Sequence, residues 1–66
     1  MQITVNGNQE IHDEGLTVSR LLEKHNLTGA PCAVELNRSI VPRKDHAGTR
    51  INQGDQVEIV TLVGGG

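Results

Sequence analysis

Aromatic side chains are absent: the 66 residues include no Phe, Tyr or Trp. Leu, Ile and Val must therefore build whatever core exists, without the large area each ring would bury. Cysteine occurs once, as Cys32, which excludes an internal disulfide. A lone thiol suits a reducing compartment. Neither sign of charge dominates, with six Lys and Arg against eight Asp and Glu and a net charge of −2. No basic stripe is interleaved with aromatics, which argues against a nucleic-acid partner. No apolar run approaches the ~20 residues that cross a bilayer. Met1 is not followed by the charged and apolar regions of a secretory signal. The expectation is a cytoplasmic protein with no membrane partner. This length allows one small domain. Such a domain buries only about 60% of the surface its unfolded chain exposes, and per-residue scaling gives a stability of roughly 3–10 kcal/mol.

The usual catalytic patterns are also missing. His12, His25 and His46 are far apart and have no metal-ligand spacing. They read as surface or helix-edge residues, and no metal site is expected. Cys32 has no histidine near it in sequence, so it reads as a half-buried packing residue. No Ser-His-Asp arrangement, P-loop or dinucleotide fingerprint occurs. The chain does not look like a self-contained enzyme.

What is present is concentrated at the end. Val57-Glu58-Ile59-Val60-Thr61-Leu62-Val63 runs straight into Gly64-Gly65-Gly66. The β-branched apolar run predicts a buried strand. Glycines offer no side chain to bury and lose much backbone entropy on ordering. The expected organisation is a domain over residues 1–63 and a flexible tail over residues 64–66. A frayed terminus is one explanation of such a tail. The other is that the Gly66 carboxylate enters a narrow site on another protein, where a Cβ would clash.

The remaining elements can be taken in order. Gln2-Ile3-Thr4-Val5-Asn6 alternates like a half-buried strand. Asn6-Gly7 is a hairpin signal, and Gln9-Glu10-Ile11-His12 would return, with Ile3, Val5 and Ile11 on one face. Thr17 is placed to cap a helix. Val18, Leu21, Leu22 and His25 share a helical face, and Asn26 and Gly29 end it. Leu27 should tuck under the helix end. Ala33–Asn37 reads as a third strand and Asn37-Arg38 as a tight turn. Ser39-Ile40-Val41 reads as a short strand, which Pro42 confines to an edge. Arg43–Gly48 suits a turn or a single 3₁₀ turn. Asn52-Gln53-Gly54-Asp55 is a turn cluster before the last strand.

Hairpin, crossover helix and further strands make an α+β fold: one mixed sheet of four to five strands with one main helix on one face. The first and last strands should lie parallel at the sheet centre, which is the β-grasp, ubiquitin-like layout. Val57 and Ile59 are assigned to the helix side. Val60 and Leu62 then face outwards beside the tail and are candidates for partner docking.

Val34-Glu35-Leu36-Asn37-Arg38-Ser39-Ile40-Val41-Pro42-Arg43, the Gly54-Asp55 turn and the terminal Gly65-Gly66 together resemble the ThiS family, the sulfur carriers of thiamin biosynthesis. The resemblance covers the whole chain. It departs at His46, near which the family often has an aromatic residue, and at Gly64, which adds a third glycine. The resemblance implies a β-grasp fold and a protein co-substrate rather than an enzyme. It implies that an E1-like adenylyltransferase of the ThiF type uses ATP and Mg to adenylate Gly66. A persulfide sulfur donor then acts, and a thiocarboxylate passes sulfur to a ThiG-type thiazole synthase. No cofactor would be intrinsic to the chain. Arg43, within the family-like segment, is a further docking candidate. Alternatives are the small subunit of molybdopterin synthase, a ubiquitin-like modifier, and an interaction module with an inert tail.

Overall fold

The computed structural model describes residues 1–62. The elements are β1 (Gln2–Val5), β2 (Asn8–Ile11), α1 (Val18–Lys24), β3 (Cys32–Leu36), β4 (Ser39–Val41), a 3₁₀ turn (Arg43–Asp45) and β5 (Gln56–Thr61). The sheet order is β2-β1-β5-β3-β4. β1 and β5 are parallel at its centre, pairing Thr4 with Gln56 and Val5 with Val57; the other strand pairs are antiparallel. This is the expected β-grasp arrangement, with β4 at an edge. The proposed tail, residues 64–66, and Val63 lie outside the described residues.

Local chemistry accounts for the elements. Asn6 and Gly7 have φ of +50° and +83°, as the central residues of a type I′ hairpin require. Asn37 and Arg38 repeat this conformation at φ +51° and +71°. The Thr17 hydroxyl accepts the Arg20 N–H at 3.2 Å, which caps the helix. Two more of its first amides find carbonyls in a distant loop: Val18 N–H donates to Thr49 and Ser19 N–H to His46, both at 3.0 Å. Helix amides at this end have no partner within the helix, so the loop after β4 completes the helix as well as covering it.

Ile3, Val5, Val18, Leu21, Leu22, Val34, Val41, Val57 and Ile59 form the core between helix and sheet. Leu27 and Cys32 pack against its margin, partly buried. Leu16 and Ile51 also belong to the core, though neither sits in a periodic run. The link between them is tertiary: the Ile51 N–H donates to the Leu16 carbonyl at 2.9 Å, and Thr17 bridges to Arg50.

Two readings are corrected. Ile11 does not share a face with Ile3 and Val5. The turn pairs Val5 with Asn8, and counting outwards sets Ile11 opposite Gln2. Opposed residues share a face and neighbours alternate, so Ile11 lies outside and is 75% exposed. Histidines 12 and 46 are not simple surface residues. His46 is only 7% exposed, because the 3₁₀ turn folds its ring inward to donate from Nε2 to the Val41 carbonyl at 3.0 Å.

His12 and His25 converge on Glu10. The Glu10 carboxylate accepts from His12 Nε2 at 2.7 Å and from His25 Nε2 at 2.9 Å. β2 is an edge strand and His25 caps the helix, so this clasp ties an outer strand to the helix end. Burial tends to raise the Glu10 pKa, but hydrogen bonds from His12 and His25 outweigh it and hold the carboxyl below its ordinary value. A depressed carboxyl pKa adds stability above the unfolded-state value, and that stability is lost as pH falls through the folded-state one. Wild type should therefore exceed Glu10→Gln in stability near neutrality. The gap should close on acidification, from the ordinary glutamate range downwards. Urea melts of both proteins across that range check this; a gap that stays constant with pH would contradict the clasp.

Candidate functional site

β5 is the strand from which the proposed site emerges. Its burial alternates as a pleat demands: Val57 and Ile59 point to the helix and are 1% and 8% exposed. Val60 and Leu62 are 55% and 57% exposed, as expected. Across the outer face Val60 sits opposite Ala33, and Glu58 opposite Glu35. Glu35 in turn pairs with Ile40, which is also exposed. The outer sheet face thus carries Val60, Ala33, Ile40 and Leu62 around two carboxylates.

The start of β5 is locked by the residues that carried the family resemblance. Gly54 has φ +84°, a conformation that glycine adopts without steric cost. Next to it, Asp55 accepts the Asn52 N–H at 2.7 Å and the Asn37 amide at 3.0 Å. Asn37 Oδ1 also accepts the Gln56 N–H at 2.9 Å. One network therefore joins the Gly-Asp turn, the Asn-Arg turn and the first residue of β5.

The end of β5 is held from both sides. Towards β3, pairing runs to Cys32 and Thr61, and the Leu62 N–H donates to the Pro31 carbonyl at 2.9 Å. On the β1 side the ladder stops at Val5 and Val57. There the Asn6 side chain takes over: its Oδ1 accepts the Ile59 N–H at 2.7 Å, and its Nδ2 donates to the Ile59 carbonyl at 3.2 Å. Sequence reasoning saw only a turn former in Asn6, because Asn-Gly is fully explained by the hairpin.

Arg43 is not grouped with Val60 and Leu62. It lies on the 3₁₀ turn, donates to the Ala30 carbonyl at 3.4 Å, and lines a recess on the helix side with Leu22, Leu27 and Cys32. Among the described residues, no cluster of three or more His, Cys, Asp or Glu is arranged to hold a metal. No helix among them is long and apolar enough to cross a membrane. Gly64, Gly65 and Gly66 lie outside the described residues.

The family model described as the ThiS family matches residues 1–66. The chain belongs to the ThiS family. The sulfur carrier protein ThiS of Escherichia coli is 35% identical over 66 residues, covering 100% of both chains. The crystal structure of the thiamine biosynthesis protein (ThiS) from Geobacter metallireducens superposes with a TM-score of 0.83, at 36% identity and full coverage of both chains. A thiazole synthase of Paramagnetospirillum magneticum is 36% identical over 66 residues, but these span only 20% of its length. A ThiS-like module therefore matches about a fifth of a longer protein as well as the whole of a free-standing one.

Proposed function

We propose that this chain is a sulfur carrier of thiamin biosynthesis whose sulfur rides on the Gly66 carboxyl group. The observation that carries this reading is membership of the ThiS family over all 66 residues, final glycines included. The strand that precedes these residues in sequence supports it: β5 is a central strand, anchored at its start by Asn37 and Asp55 and at its end by Asn6.

The chemistry explains why the chain needs a partner. A carboxylate is a poor electrophile, because its charge repels nucleophiles and oxide is a bad leaving group. An E1-like adenylyltransferase using ATP and Mg replaces the pyrophosphate of ATP with the Gly66 carboxylate, giving an acyl-adenylate. A persulfide sulfur from a donor protein attacks the acyl carbon and expels AMP. Two electrons from a thiol reductant cleave the resulting S–S bond, leaving a thiocarboxylate on the chain and a thiol on the donor, with the reductant oxidised to a disulfide. Catalytic groups, nucleotide and metal belong to the partners, and the chain is a co-substrate. Its own contribution is placement of the reacting carbon, which is worth several kcal/mol in such transfers.

Thiazole synthase is the proposed acceptor of the sulfur. The match to part of a thiazole synthase sequence supports this, since modules joined in one polypeptide meet at high effective concentration. Val60 and Leu62 are proposed to dock the activating enzyme, with Arg43 as a separate candidate on the helix side. The cytoplasm, where nucleotide and persulfide donors are available, is the proposed location.

The direct test is the intact mass of the chain isolated from its own cell. One oxygen replaced by sulfur supports the carrier, whereas attachment to a second chain supports a modifier and an unchanged mass an inert module. The docking assignment is tested by Leu62→Asp. Burying an unpaired carboxylate in an apolar interface is costly, so adenylation should slow at least about tenfold while the urea midpoint stays near wild type. Pyrophosphate exchange at the wild-type rate would remove Leu62 from the interface.

A further inference from the structure

β1 stops short of the end of β5. Its backbone pairing ends at Val5 and Val57, and Ile59, two residues on, presents an N–H and a C=O towards empty strand space. One side chain fills that space. The Asn6 amide makes both hydrogen bonds that a continued β1 would have made from two different residues, 2.7 Å to the Ile59 N–H and 3.2 Å to its carbonyl. The Asn6 backbone N–H adds a third bond, to the Val57 carbonyl at 2.9 Å. Because Asn6 is itself fixed at φ +50° by the hairpin turn, the clasp is preorganised. A side-chain amide offers a donor and an acceptor side by side, as a peptide group does.

We propose that Asn6 is a positioning residue for the carboxyl-terminal chemistry: its amide sets the direction in which the chain leaves β5, and so where the proposed reacting carboxylate arrives on a docked partner. Among the described residues, Ile59 is the last of β5 gripped on its β1 side, and Thr61 and Leu62 beyond it are held through Cys32 and Pro31 on the β3 side. Without the Asn6 amide the strand end hinges on one edge alone, and the point from which the chain leaves the sheet is less well fixed. An error of about 1 Å at a reacting centre costs on the order of 100-fold. The inference rests on the sulfur-carrier reading.

The experiment uses Asn6→Gly and Asn6→Asp. Glycine keeps the positive φ of the turn and removes the amide. Aspartate also suits the turn and keeps the acceptor for the Ile59 N–H, but it sets a carboxylate oxygen against the Ile59 carbonyl. Ile3→Val, in the core, serves as the control for stability loss alone. Each full-length chain is given to the E1-like adenylyltransferase of the same organism with ATP, and kcat and KM for the chain are measured. For Asn6→Gly, kcat should fall about tenfold or more with KM changed less than about twofold; Asn6→Asp should also lose kcat. Ile3→Val should keep wild-type kinetics below its melting range. Wild-type kinetics for Asn6→Gly would overturn the inference. So would a loss confined to KM, which marks docking, or an equal kcat loss in Ile3→Val, which marks stability. Wild-type protein that is never adenylated overturns the carrier reading itself and the inference with it.

Discussion

Deleting Gly66 is expected to abolish sulfur loading. The new terminus would fall about 3.3–3.6 Å short of the nucleotide, the span of one extended residue, and the positioned reaction tolerates far less. Gly65→Val should be strongly impaired too, because a branched side chain has to pass where the proposed channel admits only backbone and because it restricts φ and ψ. Gly64→Ala, nearest the strand, should be the mildest. All three variants should melt like wild type, since the core among the described residues is drawn from Ile3 to Ile59 and glycine has no side chain to add to it. A reconstituted reaction with the activating enzyme, ATP and a persulfide donor, read by intact mass, decides the point. A chain lacking Gly66 that still gains sulfur at its terminus would sink the tail chemistry and favour an interaction module.

The second large effect is on stability. Ile59 is 8% exposed beneath the helix, and its neighbour Val60 is 55% exposed on the opposite face. Truncation of a buried Ile to Ala removes transfer energy and leaves a cavity, about 2–4 kcal/mol together. For a chain of this size that is a large share of a total of roughly 3–10 kcal/mol. Val60→Ala should change stability by about 0.5 kcal/mol or less, as exposed substitutions do. Urea melts of the two variants with unchanged m-values measure the difference. Equal losses would mean that β5 is turned over.

The same strand shows how far sequence alone reaches. Alternation in Gln56–Thr61 assigns Val57 and Ile59 inwards and Val60 outwards, because successive side chains on a strand point to opposite faces and the helix covers only one of them. The helix face of Val18, Leu21 and Leu22, its Thr17 cap and both tight turns follow from equally local rules. Even the central parallel pairing of the first and last strands follows, since a hairpin, a crossover and a last strand of unbroken β-branched residues leave few ways to cover one sheet. The family, and with it the proposed chemistry of Gly66, is legible in a handful of residues: Asn37, Ile40-Val41-Pro42-Arg43, Gly54-Asp55 and the final glycines.

Other features depended on where the chain goes after it turns. Ile11 reads as core by its chemistry, yet register places it outside, because a shift of one residue exchanges the faces of a whole strand. His46 reads as surface by its polarity, yet the 3₁₀ turn carries it inward to the Val41 carbonyl. Leu16 and Ile51 join the core only because residues far apart in sequence pair with each other. Glu10 acquires its two imidazoles from its own strand end and from the helix cap, and Asn6 gains its second task from a strand more than fifty positions away. Sequence by itself determined the elements, the apolar faces of the helix and the last strand, and the family. Tertiary structure decided which polar side chains hold those elements together, because a hydrogen bond depends on distance and angle between groups that no local periodicity relates.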